Sequence, residues 1–225
     1  MVISCHETFA RTRKQTWLTG VPHVILIGDP FLQQKWDFNP ALRVCKVRCN
    51  DDDQSLSAKV HLGFQFMVET FDPEYIFKVD DDVMLRVENI PSLTQYDYVG
   101  KYSTNSLLVY CGGPLYYLSK KALHVLNTGM NHSHSSAEDV NVGHTLFEHG
   151  IYPTIHPLYT DLLEEYKTDT DILAVHDKQR TLFPTTTITA YQDQRIQQEH
   201  TRVQKERAEF TERMKSIKRR YHIIL

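Results

Sequence analysis

The residues best suited to chemistry are clustered. The stretch "EYIFKVDDDVML", Glu74 to Leu85, places Asp80, Asp81 and Asp82 between two apolar runs. Three like charges this close repel one another, so a strand-end position for them is costly unless a proton or a cation relieves it. A divalent cation fits: carboxylate oxygens on one side and nucleotide phosphates on the other are a common way of holding Mg²⁺ or Mn²⁺. The alternative is an acidic loop that only caps a helix. The sequence carries its own comparison in "CNDDDQSLSAK", where Asp51 to Asp53 form an equal run with polar neighbours and a helical pattern behind it. That second triplet reads as a solvated loop and helix N-cap.

The elements that must position the first triplet alternate between strand and helix. Val2 to Cys5 reads as a strand. "FARTRKQTWL" follows as a helix whose Arg11, Arg13 and Lys14 crowd the strand's carboxyl end, either to meet a diphosphate or to solvate a helix face. "HVILIGDP" is a second strand, stopped by Gly28, Asp29 and Pro30, and "RVCKV" is a third. Leu56, Val60, Phe64, Met67 and Phe71 then recur at helical spacing, ending before Pro73. "YIFKV" is the fourth strand, and it delivers the chain into Asp80. Strand, helix, strand implies a parallel sheet, and ligands of open α/β sheets bind beyond the carboxyl ends of the strands.

Further along, "YDYVGKY" and "VYCGGPLYYLS" read as strands around a glycine pair, with "KKALHVL" as a helix. Gly112 and Gly113 either let backbone approach a ligand closely or make a tight turn. "VNVGHTLFEHG" has helical spacing and stops at Gly150, and "ILAVHD" is a further strand. His132 and His134 in "NHSHSS" read as mobile-loop residues rather than ligands. From Tyr191 to Arg220 the chain is rich in Gln, Glu, Lys and Arg, the composition of a long polar helix. That helix is expected to lie solvated against the domain's flank, the alternatives being a dimer contact or a connector to a further region. The expected division is residues 1–190 as one α/β domain and 191–225 as the tail.

Composition sets the remaining bounds. The 225 residues, 41% hydrophobic and 24% charged, suit one large domain. A net charge of -3 gives no electrostatic case for a nucleic-acid binder. No basic segment followed by an apolar one opens the sequence and no run is long enough to cross a bilayer, so a cytoplasmic protein is expected. Cys5, Cys45, Cys49 and Cys111 are too few for a disulfide framework. Cys45 and Cys49 lack the second pair that a zinc site needs, so they read as small buried hydrophobes.

"RTRKQTW", "ILIGDP", "LSAKV", "YIFKVDDDVML", "CGGPLYYLS" and "AEDVNVG" come in the order, and at roughly the spacing, seen in the β-1,3-galactosyltransferase and Fringe-like glycosyltransferases. The chain resembles that family from about Val2 to His176. The resemblance implies a single GT-A, Rossmann-like α/β domain with a mixed, mainly parallel central sheet, carrying the C-terminal helical tail. It also implies a UDP-sugar donor, a glycan acceptor, Mn²⁺ or Mg²⁺ as cofactor, and inversion at the transferred sugar.

Residue by residue, Asp82 matches the aspartate that binds the metal directly, Asp80 the one that faces the ribose and metal waters, and His176 a histidine completing the metal shell. The alternative for His176 is a strand-end histidine bonded to backbone. Asp139 matches the general base and Glu138 its acidic neighbour, at a helix start whose dipole favours a carboxylate. Asp81, Arg11, Arg13, Lys59 and Glu138, with Gly112 and Gly113, are assigned to the donor. A retaining transferase of the same fold and a non-catalytic sugar-nucleotide or glycan-binding module are the competing readings. A phosphohydrolase would need a nucleophilic aspartate motif that the sequence lacks. Members of the family usually carry a membrane anchor and luminal cysteines, which this sequence lacks, so a Golgi location is not carried over. The expectation is a small cytoplasmic transferase, microbial or viral (in the host cytoplasm if viral), or one module of a longer polypeptide, with the oligomeric state open.

Overall fold

The computed structural model describes residues 1–90, 92–105, 108–132, 135–156, 158–160 and 174–176. These lie within one compact unit, Met1–Thr181; the tail expected over 191–225 falls outside the described residues. The apolar runs become β1 (Val2–Ile3), β2 (Ile25–Gly28), β4 (Val44–Val47) and β5 (Tyr75–Asp80). β2 is buried along its whole length, as a strand covered on both faces must be. β2 pairs in parallel with β1 and β4, and β1 in parallel with β5, so four carboxyl ends point one way.

Beyond β5 the sheet turns antiparallel through β8 (Val109–Ser119) and β7 (Tyr98–Thr104). β3 (Trp36–Asn39) and β9 (Thr154–Ile155) form the edges, giving the order β3-β4-β2-β1-β5-β8-β7-β9. Four of these seven pairings are parallel, so the sheet is mixed and mainly parallel. A smaller sheet holds β10 (Tyr159–Thr160), β11 (Ala174–His176) and β6 (Val83–Leu85) in that order.

Side-chain alternation along β5 and β8 divides the core into two. Ile76, Tyr116 and Leu118 face the cluster containing Val60 and Phe64 of α2 (Leu56–Thr70), Leu123 of α3 (Lys120–Gly129) and Leu146 of α4 (Glu138–Glu148). Val79, Leu115 and Tyr117 face a second cluster with Val83, Leu158 and Ala174, which is where the smaller sheet packs. α2 stops where the sequence says it should, with Asp72 at a positive φ of 44° just before Pro73.

One expectation changes and one open alternative is resolved. "FARTRKQTWL" does not make one helix: α1 covers only Phe9–Thr12, and a separate turn of 3₁₀ helix covers Thr16–Leu18. Gln15 between them is extended and its amide donates to the Asp81 carbonyl, a tertiary bond that wins over a helix with no apolar stripe. The glycine pair makes no turn either. β8 runs straight through Gly112 and Gly113, and the irregularity is a register shift in its pairing with β7 between Gly100 and Tyr102.

The cysteines are free thiols. Cys45 and Cys111 are buried, whereas Cys5 and Cys49 are half-buried, and burial pushes the Cys49 thiol up to about 11. Among the described residues no helix is long and apolar enough to cross a membrane.

Candidate active site

β5 ends in the aspartates, and Lys78, two residues earlier on the same face of the strand, organises them. Its Nζ lies 2.6 Å from Asp80 Oδ1 and 2.7 Å from Glu138 Oε1, and it donates to the Gly113 carbonyl at 2.6 Å. Tyr116, opposite Lys78 in the β5–β8 register, donates its hydroxyl to Glu138 Oε2 at 2.9 Å. Lys78 is fully buried and Glu138 almost so. Burial disfavours the ammonium, but Asp80 and Glu138 more than offset it and hold Lys78 charged, with its pKa above the ordinary lysine value. Burial likewise pushes Glu138 up to about 7, against the pull of Lys78.

Asp81 points to the other face of the strand. Its Oδ2 accepts from the hydroxyls of Ser4 at 2.8 Å, Thr12 at 3.2 Å and Thr8. Thr8 and Thr12 stand four residues apart, one helical turn, which brings both hydroxyls to the same carboxylate. Asp82 Oδ2 lies 3.1 Å from His176 Nε2, because β11 pairs with β6 in a register that sets His176 opposite Val83. Asp82 Oδ1 is buried and has no hydrogen-bond partner among the described residues. A buried carboxylate oxygen left in that state is costly and calls for a further group. A carboxylate oxygen beside an imidazole suits Mn²⁺ or Mg²⁺ as part of a ligand set. Among the described residues, no three His, Cys, Asp or Glu side chains already form a metal cluster.

Asp139, in the first turn of α4, is half-buried and held by backbone. Its Oδ2 accepts from Gly113 N at 2.8 Å and its Oδ1 from Val140 N at 2.9 Å. The glycine pair is explained by space: a Cβ on Gly113 would stand 3.3 Å from Asp139 Oδ2, and one on Gly112 2.8 Å from the Tyr159 hydroxyl. Tyr159 in turn meets the His176 ring edge-on, at 6.2 Å between centroids.

The structure therefore brings together Asp80, Asp81, Asp82, Gly112, Gly113, Glu138, Asp139 and His176. Arg11 is half-buried on α1, whereas Arg13 is exposed, with its guanidinium 5.6 Å from the Phe9 ring centroid. Arg13 lines a cavity of about 280 Å³ with Gln15, His23 and Arg43. Lys59 is buried in an ion pair, 2.6 Å from Asp51 Oδ1, and donates to the Ser4 carbonyl.

Asp51 also accepts from Gly28 N and His6 N, so it is drawn inward rather than solvated as its loop neighbours suggested. The buried ammonium of Lys59 demands a counter-charge there. Asp52 closes the turn before α2, accepting from Ser55 N at 2.8 Å, whereas the helix's own N-cap is Ser55 with no side-chain cap bond; Asp53 is exposed. His132 is exposed yet tied, 2.9 Å from Ser57 Oγ and 3.0 Å from His61 Nδ1, while His134 lies outside the described residues.

Sequence reading missed Lys78, Tyr116 and the hydroxyls of Ser4, Thr8 and Thr12. Lys78 had a usable signal: a cation inside an apolar strand, sharing a face with an aspartate two residues on. The hydroxyls had none, because their partner lies far away in the chain.

No family model matches the chain, and no curated protein matches it. Among solved structures, the chain is similar to a crystal structure described as that of a glycosyltransferase involved in the glycosylation of the major capsid of PBCV-1. The identity is 15%, the match covers 79% of this chain and 93% of that one, and the TM-score is 0.48.

Proposed function

We propose that this chain is a metal-dependent glycosyltransferase of the GT-A kind that moves a sugar from a UDP-sugar to a glycan hydroxyl with inversion. The observation that carries the reading is the buried Asp82 Oδ1 beside His176, unpartnered among the described residues and lying beyond the carboxyl end of β5. This is where an open α/β sheet binds its ligand, and it coincides with the motif order that resembles the β-1,3-galactosyltransferases and Fringe-like enzymes.

In this reading Asp82 and His176 hold the cation, and Asp80 faces its outer side from the Lys78 ion pair. The bound cation would neutralise charge on the departing diphosphate as a Lewis acid. Asp81 Oδ2 is spent on the Ser4, Thr8 and Thr12 hydroxyls, which leaves its other oxygen to meet the donor sugar.

Asp139 is the general base. Each of its oxygens takes one backbone N–H, so each retains a lone pair, and the half-buried carboxylate can accept the proton of an attacking hydroxyl. A positioned carboxylate contributes about 10²–10⁴-fold. The test is transfer from a panel of UDP-sugars with Mn²⁺, followed by proton NMR of the fresh product. The expected result is an inverted linkage, with Asp139→Asn lowering turnover by about 10²–10⁴-fold while donor affinity holds. Retention at the anomeric carbon would move the assignment to a retaining mechanism. Saturable UDP binding with no turnover would make the chain a binding module.

A further inference from the structure

We infer that Lys78 is a positioning residue that sets the separation between Asp80 on the donor side of the site and Asp139 on the acceptor side. Nζ donates to Asp80 at the end of β5 and to Gly113 on β8 and is ion-paired with Glu138 on α4, so one ammonium joins three separate segments. Asp139 is tied to this point twice. It is the chain neighbour of Glu138, and its Oδ2 accepts from the N–H of the same Gly113 whose carbonyl accepts from Lys78.

Stability alone does not call for such an arrangement, because apolar packing of the same volume generally does as well as a buried ion pair or better. What the ammonium supplies is geometry. Tyr116 braces it, with its ring 5.5 Å from Nζ and its hydroxyl on Glu138 Oε2. A displacement of a catalytic group by about 1 Å can cost about a hundredfold in rate, so a tie that fixes two carboxylates to one nitrogen bears on turnover more than on binding.

The catalytic half of this inference rests on the function proposed above; the structural half does not, and one experiment separates them. Lys78→Met and Glu138→Gln are compared with the parent by ¹⁵N–¹H NMR of the Gly113 amide, and by donor affinity and kcat for transfer with Mn²⁺. Both variants should shift the Gly113 signal and speed its exchange. The loss in kcat should be about tenfold or more and larger than any loss of UDP-sugar affinity.

If Lys78→Met fails to fold, Glu138→Gln decides alone, since it keeps the shape and an acceptor for Tyr116. A Gly113 amide that does not move, or a folded variant with unchanged kcat, overturns the inference. A parent that transfers nothing overturns the proposed function instead, and the Gly113 signal then judges the positioning role by itself.

Discussion

Glu138 and Asp139 are chain neighbours with opposite surroundings, and burial is what divides them. Glu138 faces Lys78 and Tyr116 in the core and has its pKa raised to about 7, whereas Asp139 stays half-buried on backbone amides. A carboxyl near 4.5 in the unfolded chain and about 7 in the fold binds its proton preferentially in the native state. Its contribution to stability is therefore present below about pH 4.5 and lost as pH rises through about 7.

Glu138→Gln removes that dependence. Urea midpoints of parent and variant across this range should show the parent losing ground to the variant as pH rises, and curves that stay parallel would contradict the assignment. At this scale the site was half legible. Three aspartates between apolar runs announce themselves by their cost, as does an "AED" opening a helix. Lys78 and the three hydroxyls on Asp81 gain their meaning only from partners that the fold brings in from elsewhere.

Elements follow the strength of their pattern. α2 was readable because its apolar residues repeat over four turns, and Phe64 on that face is fully buried. Phe64→Ala should therefore cost about 3–5 kcal/mol. Phe31, 86% exposed, should cost no more than about 0.5 kcal/mol when truncated. Equal shifts in the two urea midpoints would contradict the placement of the core.

β3 was not legible: "WDFN" alternates half-buried with exposed residues at a sheet edge, and pairs with β4 across a hairpin whose Arg43 adopts a φ of 55°. β8 was legible as strand sequence, but its two glycines fitted a turn as well as a close approach, and they make room for Asp139 and Tyr159 inside a continuous strand. β9 and β10, two residues each, carry no periodicity at all.

The molecule joins a parallel half, β4-β2-β1-β5, to an antiparallel half, β8 and β7, and the candidate site sits at the β5–β8 seam. The parallel half brings Ser4 and the three aspartates together at its strand ends. The antiparallel half contributes the glycine pair that seats Asp139, and the small sheet adds His176 to Asp82. That division explains why the parallel half was readable from alternating strands and helices while the closing of the site was not. The second and third contributions depend on strand register.

The two aspartate triplets provide the contrast that tests the central claim. Calorimetric titration of UDP with and without Mn²⁺ should show tighter binding with the metal in the parent. Asp82→Asn should lose most of that gain, and Asp52→Asn, which removes a charge from the other triplet and keeps an acceptor for Ser55 N, should keep it. An equal loss in both variants, or no effect of Mn²⁺ on the parent, would contradict a cation held at Asp82 and His176.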